Sequence, residues 1–356
     1  MSRKEKRKSN RNKEIIILVT ILVLTILVAA GLFIYRYFTN KNNQSDEVIS
    51  LDTEQVSQAE EHKETIKTFT GTDRPIAVMI DNHKDAWPQA GLNKAYCVYE
   101  IIVEGGETRL MALFKGTELD QIGPVRSSRH YFLDYALEND AIYTHYGWSP
   151  QAQSDISTLK VNNINGITES SSSFWRIKAK SAPHNVLTST SAIKKIAESK
   201  GYKTTSNSTS VLHYVEREVQ LESEITVNQV TIPYSTLHTV SYKYDSETKR
   251  YTRYARGTKQ TDYTTKEPVT TKNIIITFAE NYTLDDSENK NRQGLKNIGK
   301  KDGYYITNGK AIKITCTKDS RTAKTVYKDL NGNVIDVNDG NTFINICPLD
   351  SKVVFE

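Results

Sequence analysis

Short apolar runs with turn residues between them characterise the globular sequence from Asp73 to about residue 218. They predict strands at residues 76–80, 96–103, 109–114 and 141–146, with a weaker candidate at 121–125. Apolar residues at helical spacing predict a helix at residues 131–137, and serine caps predict helices that begin at Pro150 and after Ser189. Strands that alternate with helices predict an α/β domain over residues 73–218.

The pattern changes from about residue 219 onward. Strands are predicted at residues 224–232, 239–244, 273–278, 304–306, 311–316, 325–328 and 342–346, separated by turns rich in Asn, Asp and Gly. No run in this part has the apolar spacing of a helix. We therefore predict a β-rich domain over residues 219–356.

The first 37 residues follow another pattern. Residues 1–14 are a basic tail with seven Lys or Arg and two acids, and residues 15–34 carry no charge. About 20 apolar residues are enough for a helix to cross a bilayer. We predict a cytoplasmic tail at 1–14, a transmembrane helix at 15–37 and a flexible linker at 38–72. This topology predicts a single-pass protein of the cell membrane, in contact with the membrane through residues 15–37 and with its bulk extracytoplasmic.

A cleaved signal peptide is the alternative to this anchor. The apolar stretch is longer than the roughly 7–15 residues of a signal-peptide core. Residues 28–31 look like the approach to a bacterial lipoprotein cleavage site, but Leu32 stands where a lipid-modified Cys would be required. An uncleaved anchor is therefore the preferred interpretation.

The charge balance excludes one large class of partner. The basic tail accounts for the whole formal net charge of +5, and the rest of the chain has as many acids as bases. Because nucleic-acid binding needs a basic face, no nucleic-acid partner is predicted.

Of the three cysteines, Cys316 and Cys347 could pair, but the apolar runs around them favour buried thiols. Heavy use of Lys, Asn and Ile favours a Gram-positive bacterium as the source.

Polar side chains follow three of the predicted strands, where ligands collect in open α/β sheets. Asp81, Asn82 and His83 follow the strand at 76–80, and residues 126–129 follow the strand at 121–125. His145 and Ser149 lie at the end of the strand at 141–146 and just beyond it. If these strands are parallel, the polar groups meet at one edge of the sheet.

The segment at residues 123–129, Gly-Pro-Val-Arg-Ser-Ser-Arg, is the strongest candidate for ligand binding. Ser127 or Ser128 is predicted to cap the helix that follows, and a helix N-terminus attracts anions. Arg126 and Arg129 add planar donors that suit phosphate or carboxylate. The alternative is that both arginines pair with acids of the neighbouring strand.

Acids in and after the strand at 96–103 form a second candidate. Glu100 and Glu104 share one face of the strand because side chains alternate, and a buried acid is costly without a partner. Glu104, beside a Gly-Gly turn, could act as a general acid, bind a cation or pair with Arg109.

The loop at residues 181–185 is a third candidate. His184 follows a proline there and could act as an acid, a base or a hydrogen-bond donor beside Asn185. The histidines lack metal-binding spacings such as H-E-x-x-H. The sequence also has no phosphate-binding glycine loop, no dinucleotide fingerprint and no G-x-S-x-G motif. We therefore predict no metal site and no cofactor.

Several long motifs occur in the order found in one bacterial family. They are residues 74–82 (RPIAVMIDN), 88–92 (PQAGL), 103–109 (VEGGETR), 123–129 (GPVRSSR), 149–152 (SPQA), 174–176 (FWR) and 182–185 (APHN). With these motifs the chain resembles the YerB-like lipoproteins, a family defined by a domain of unknown function. The resemblance implies an envelope location and a two-domain body, and it implies no reaction. Leu32 departs from the family's lipidated Cys, and Cys316 from a frequent Trp.

Two functions follow as expectations. The first is a membrane-anchored extracytoplasmic protein of the cell envelope that binds an anionic or glycan ligand, such as cell-wall polymer, or a partner protein. The second is an envelope enzyme that acts on cell-wall glycan or lipid-linked phosphate. In the enzyme, Glu104 or His184 would move protons, while Arg126 and Arg129 would stabilise phosphate charge.

Overall fold

A computed structural model describes residues 66–285 and 288–356. The predicted tail at 1–14, the predicted transmembrane helix at 15–37 and most of the predicted linker at 38–72 lie outside these residues. Among the residues that are described, no helix has both the length and the apolar character needed to cross a membrane.

The described residues form mainly strands. In chain order these are β1 (Ile76–Asp81), β2 (Cys97–Ile102), β3 (Thr108–Phe114), β4 (Ile142–His145), β5 (Asn163–Asn165), β6 (Trp175–Arg176), β7 (Val186–Leu187), β8 (Tyr214–Val215), β9 (Gln229–Pro233), β10 (Thr239–Asp245), β11 (Arg250–Ala255), β12 (Thr258–Lys259), β13 (Thr270–Thr271), β14 (Asn273–Ala279), β15 (Asn281–Thr283), β16 (Gln293–Leu295), β17 (Gly299–Thr307), β18 (Lys310–Lys318), β19 (Val326–Asp329), β20 (Val337–Asn338), β21 (Thr342–Pro348) and β22 (Val354–Phe355). The α-helices of this part of the chain are α1 (Phe132–Glu138), α2 (Pro150–Thr158) and α3 (Thr190–Ser199).

Ten strands form one sheet, in the order β19-β18-β17-β14-β21-β2-β3-β1-β4-β5. β21 pairs in parallel with both β2 and β14, so Ile344 stands opposite Tyr99 on one side and Ile275 on the other. A second sheet has the order β12-β11-β10-β9-β22, with β13 added beside β11. Strands from both sides of residue 219 therefore share one hydrogen-bonded sheet.

The ten-stranded sheet is covered on both faces. Successive side chains of each strand point to opposite sides, and here both sets are buried. In β1, Val78 and Ile80 pack into one core, and Ala77 and Met79 pack into the other. The first core also contains Tyr242 of the second sheet and apolar residues of α3. The other core contains apolar residues of α1 and α2. The sheet is thus a middle layer between two helices on one side and the second sheet with α3 on the other.

The predicted fold class, an α/β domain followed by a β-rich domain behind a transmembrane helix, is wrong. The described chain is mostly β-sheet, and its α-helices have only seven, nine and ten residues. β3 lies antiparallel between β1 and β2, so a short turn replaces the helical crossover of an α/β unit. Apolar runs showed which residues are extended, but they did not show which strands pair.

The predicted strand at residues 121–125 is absent as a regular element. Ile122, Gly123 and Val125 form only isolated bridges, to Thr188, Ala90 and Ile80 respectively. The segment therefore crosses the end of β1 instead of extending the sheet, and it places the residues that follow it beside Asp81.

The three cysteines are free and buried. Cys316 lies in β18 and Cys347 in β21, and β17 and β14 separate these strands in the sheet. Burial raises the pKa of the Cys316 thiol to about 12, so this thiol stays protonated near neutral pH.

β1, β2, β4 and β21 run in one direction. β1 pairs in parallel with β4, β2 pairs in parallel with β21, and β3 is antiparallel to both β1 and β2. Their carboxyl ends therefore lie at the same edge of the sheet, as expected for the polar groups after β1 and β4. We call this the carboxyl edge, and it carries residues 81–83, Glu104, Arg109 and the 123–129 segment.

Candidate functional site

The first group at the carboxyl edge is the Glu104 cluster, formed by Glu104, Arg109 and Arg129. Nη2 of Arg109 lies 3.3 Å from Oε1 of Glu104. Nε of Arg129 donates to Oε2 of Glu104 at 2.9 Å, and its Nη2 pairs with Oε1. Arg109 also donates to the carbonyl oxygen of Ser127 at 2.6 Å. Two nearly buried guanidinium groups thus share one carboxylate of the protein.

Charges in this cluster shift two pKa values. Burial raises the pKa of Glu104, but the hydrogen bond from Arg129 and the charges of Arg109 and Arg129 outweigh burial and lower it to about 2. Burial and the charge of Arg129 lower the pKa of Arg109 to about 10. A general acid works best with a pKa near the working pH. With a pKa of about 2, Glu104 stays ionised near neutral pH and is suited to pairing with Arg109 and Arg129. Its catalytic role stays a prediction.

Replacing Glu104 with glutamine is expected to weaken the acid sensitivity of folding. The pKa of Glu104 is about 2 in the folded chain, against an ordinary value of 4.5. The carboxylate therefore contributes stability that is present above pH 4.5 and is lost as the pH falls toward 2. In this window, the slope of unfolding free energy against pH should be shallower in the variant by up to about 1.4 kcal/mol per pH unit.

Urea unfolding at a series of pH values measures these slopes. Between about pH 6 and pH 8, the wild type and Glu104→Gln should have the same slope, which serves as the internal control. Equal slopes below pH 4.5 would show that the arginines do not stabilise the ionised form of Glu104.

The second group is the Asp81 cluster, formed by Asp81, His83, Arg126 and His184. The Asp81 side chain is buried at the end of β1, and its Oδ2 lies 2.8 Å from Nδ1 of His184 and 3.1 Å from Nε of Arg126. The rings of His83 and His184 stack with their centroids 4.6 Å apart. Arg126 and His184, predicted from separate segments, therefore meet on one carboxylate.

Arg126 is only partly used by the protein. Its side chain is 25% exposed, and Nε is the atom that faces Asp81. The contact with Asp81 is an ion pair at 3.1 Å that leaves a quarter of the Arg126 side chain open to solvent. Across Glu104 and Asp81, three guanidinium groups face two carboxylates, and the charges of Arg126 and Arg129 both act on Arg109. Arg126 is therefore the arginine of this edge whose side chain is most open to solvent.

Glu100 lies deeper and is fully buried in β2. Its Oε1 accepts hydrogen bonds from Asn82 at 3.0 Å and Thr108 at 2.8 Å, and it lies 3.0 Å from Nε2 of His238. Its Oε2 accepts from Arg253 at 2.7 Å. Burial raises the pKa of Glu100, but Arg253 and His238 outweigh burial and lower it to about 2. Glu100 and Asn82 thus join the two sheets, away from solvent.

Three other predicted ligand-binding residues make local hydrogen bonds. His145 is fully buried, with Nδ1 2.8 Å from the carbonyl oxygen of Gly147, and burial lowers its pKa to about 4. Ser149 caps α2, as its position before Pro150 predicted. Asn185 donates from Nδ2 to two backbone carbonyl oxygens of its own loop. These residues shape the loops of the edge.

The prediction that Ser127 or Ser128 caps the helix after residue 129 is wrong. The N-cap of α1 is Tyr131, whose side chain makes no capping hydrogen bond. Ser127 donates from Oγ to the carbonyl oxygen of Tyr146 at 3.0 Å, and Ser128 accepts from the hydroxyl of Tyr143 at 2.8 Å. Both serines therefore hold the 123–129 segment against β4 and Tyr146. Since neither serine caps a helix, the support for anion binding at this segment comes from its arginine side chains.

Sequence reasoning did not select His238 or Arg253. For Arg253 a signal exists, because β11 buries alternate residues and Arg253 falls on the buried set with Tyr251. An arginine at such a position indicates a buried acidic partner. Nothing local identifies Glu100 as that partner, because it lies 153 positions away in the chain.

Comparison with known proteins then places the chain. Residues 63–203 match the domain described as “Protein of unknown function (DUF3048) N-terminal domain”, and residues 230–344 match the DUF3048 C-terminal domain. “Putative lipoprotein YerB” of Bacillus subtilis (strain 168) is 35% identical over 286 residues, which are 77% of this chain and 81% of that protein. The chain belongs to the YerB family of DUF3048 proteins.

A solved structure supports this membership. The crystal structure of the YerB protein from Bacillus subtilis matches with a TM-score of 0.71 and 32% sequence identity, over 80% of this chain and 94% of that chain. The resemblance inferred from the motifs is therefore confirmed. The shared family is one of unknown function.

The predicted localisation is corrected by these findings. It described a single-pass protein of the cell membrane with a cytoplasmic N-terminus and an extracytoplasmic bulk. The YerB relative is named as a lipoprotein, a class held at a membrane by a lipid, and the described residues contain no helix that could span a membrane. The uncharged stretch at residues 15–34 was the physical basis of the prediction, and it lies outside the described residues.

Proposed function

We propose that this YerB-family chain works in the cell envelope, outside the cytoplasm, and binds an anionic group of an envelope polymer or glycan at the carboxyl edge. The lipoprotein name of its relative supports the envelope location. One observation carries the binding proposal. Arg126 forms an ion pair with Asp81 through Nε at 3.1 Å, and its side chain stays 25% exposed at the carboxyl edge.

The chemistry of recognition follows from that geometry. A guanidinium group presents paired N–H donors that match the oxygens of phosphate or carboxylate. Because Asp81 already orients Arg126, less side-chain freedom is lost when a ligand binds. His184 shares the same carboxylate through Nδ1, so its Nε2 can face the ligand.

Arg126→Ala is expected to weaken binding of a phosphate-bearing ligand by roughly 10- to 100-fold. A hydrogen bond to a charged group contributes about 1.5–3 kcal/mol, and this variant removes the guanidinium donors. The full-length chain in mild detergent can be titrated calorimetrically with inorganic phosphate, a sugar phosphate and muropeptides. Arg126→Lys should recover only part of the affinity, because lysine keeps the charge and loses the planar pair of donors.

Arg217→Ala is the matched control. Arg217 is 67% exposed and pairs with Asp336, so its loss removes one positive charge without touching the edge. If Arg126→Ala and Arg217→Ala weaken phosphate binding equally, the loss of affinity reflects the net charge of the chain and not the position of Arg126. A wild-type chain that binds none of these anions would contradict the proposal.

An envelope enzyme is the second candidate, and the Asp81–His184 contact favours it. A histidine whose Nδ1 faces a carboxylate keeps Nε2 available for proton transfer to or from a substrate. Mass spectrometry of cell-wall glycan or lipid-linked phosphate incubated with the protein distinguishes the two candidates. Product formation supports the enzyme, and ligand retention without product supports the binding protein.

A further inference from the structure

His83, Asp85 and His184 lie together beside Asp81, and we propose that they bind a divalent transition metal ion, with zinc as the best match. One nitrogen or carboxylate oxygen from each of the three residues lies within 4.8 Å of the others. The inference goes beyond the proposed anion site, with which it shares His184 but not Arg126.

His184 is held in the way that metal-binding histidines are held. Its Nδ1 lies 2.8 Å from Oδ2 of Asp81, and the Asp81 side chain is only 5% exposed. A carboxylate accepts hydrogen bonds, so Nδ1 of His184 carries the proton and Nε2 keeps a lone pair. Histidine ligands usually donate their other N–H to such a carboxylate, which fixes the ring and raises its basicity.

His83 and Asp85 supply the other two ligand atoms. They flank the start of a single 3-10 turn, and Nδ1 of His83 accepts from the backbone N–H of Asp85 at 3.3 Å. The same nitrogen lies 3.5 Å from Oδ2 of Asp85. Because Nδ1 has a single lone pair, a metal ion bound between it and Oδ2 of Asp85 takes the place of this backbone hydrogen bond. A tetrahedral zinc ion with bonds of about 2.0–2.1 Å holds its ligand atoms roughly 3.3–3.4 Å apart.

The arrangement of the two rings agrees with this assignment. The imidazoles of His83 and His184 are stacked, with an interplanar angle of 18° and centroids 4.6 Å apart. The stacking therefore holds the two rings side by side at the proposed site.

Two nearby cations oppose a metal ion, and both have partners. Nε of Arg126 faces Asp81, and Nζ of Lys180 donates to the carbonyl oxygen of Ala86 at 2.7 Å. Burial lowers the pKa of Lys180 to about 8, and the charge of Asp81 acts in the opposite direction. The carboxylates of Asp81 and Asp85 offset the two positive charges.

Three protein ligands leave a fourth position for water or substrate, as in catalytic zinc sites. The site is open to solvent, since the side chains of His83 and Asp85 are 31% and 58% exposed. No local spacing could reveal it, because His184 comes from a segment 103 positions after Asp81. The absence of a metal motif, on which the sequence prediction of no metal site rested, therefore does not bear on these ligands.

Calorimetric titration with zinc chloride tests the site, using the untagged full-length chain after removal of metal with EDTA. We expect one zinc ion per chain and at least tenfold weaker binding in Asp85→Asn and in His184→Gln. Asp85 is an exposed side chain, so Asp85→Asn retains the fold. His213→Gln is the matched control and should bind zinc as the wild type does, because His213 is 62% exposed and pairs with Asp336.

Cobalt(II) in place of zinc provides a second readout. The wild type should show the visible absorption of a tetrahedral site, and Asp85→Asn should lose most of it. No saturable zinc binding by the wild type would overturn the proposal. So would equal zinc affinity in Asp85→Asn, His184→Gln and His213→Gln.

Phosphate titrations with and without EDTA separate this proposal from the anion site. Zinc binding without phosphate binding supports the metal site and contradicts the proposed function. Phosphate binding that persists in EDTA, in a chain that does not bind zinc, overturns the metal site and leaves the proposed function standing.

Discussion

Replacing Glu100 with glutamine is expected to lower the free energy of unfolding by about 3–5 kcal/mol, the usual cost of removing one partner from a buried ion pair. The side chains of Glu100 and Arg253 are both fully buried. Nε and Nη1 of Arg253 have no hydrogen-bond partner among the described residues. The carboxylate of Glu100 is therefore the group that compensates the Arg253 charge, and glutamine keeps its shape without its charge.

Chemical denaturation of the wild type and Glu100→Gln measures this cost. Glu107→Gln is the matched control, because Glu107 pairs with Arg256 and both side chains are 23% exposed. A pair near the surface contributes at most about 1 kcal/mol. Adding Arg253→Met to Glu100→Gln should recover much of the loss, since it removes the unpaired charge. If Glu100→Gln costs no more than Glu107→Gln, the buried pair is not a main source of stability.

The second large effect is expected at Glu138, the last residue of α1. Its Oε2 accepts from Nζ of Lys318 at 2.7 Å and from the backbone N–H of Thr325 at 2.9 Å, and its Oε1 accepts from the hydroxyl of Tyr99 at 2.8 Å. Lys318 is only 2% exposed. Glu138→Gln leaves this ammonium group buried without a counter-charge, so we expect a loss of about 3–5 kcal/mol.

Equilibrium unfolding in urea tests this prediction against Glu118→Gln. Glu118 pairs with Lys194 but is 68% exposed, so its replacement should have little effect. A double variant with Lys318→Met should be more stable than Glu138→Gln alone. An equal loss in Glu138→Gln and Glu118→Gln would argue that Lys318 reaches water or another acceptor.

Both ion pairs cross the boundary that the pattern change near residue 219 suggested. Glu100 in β2 pairs with Arg253 in β11, and Glu138 in α1 pairs with Lys318 in β18. Each of these buried charges therefore has its partner in the other half of the chain. This is a physical reason for charged residues to stand inside apolar strands.

The local sequence predicted some features of the candidate site and left others open. Strand ends predicted that the polar groups after residues 76–80 and 141–146 meet at one edge if these strands are parallel, and β1 and β4 do pair in parallel. The segments that carry Arg126 and His184 were selected for their chemistry, and the structure brings both to Asp81. Which acid each base meets depends on loops that cross the sheet edge, so spacing along the chain could not assign the partners.

By itself, the sequence determined most of the long strands, the three described α-helices and the family, because apolar periodicity, capping residues and long motifs are local properties. Only the tertiary structure decided that β21 lies between β2 and β14 and that one sheet joins both halves of the chain. It also decided which charges are buried as pairs and which arginine stays most exposed at the carboxyl edge. Strand pairing and charge pairing join residues far apart in the chain, and their energies depend on the whole packed arrangement.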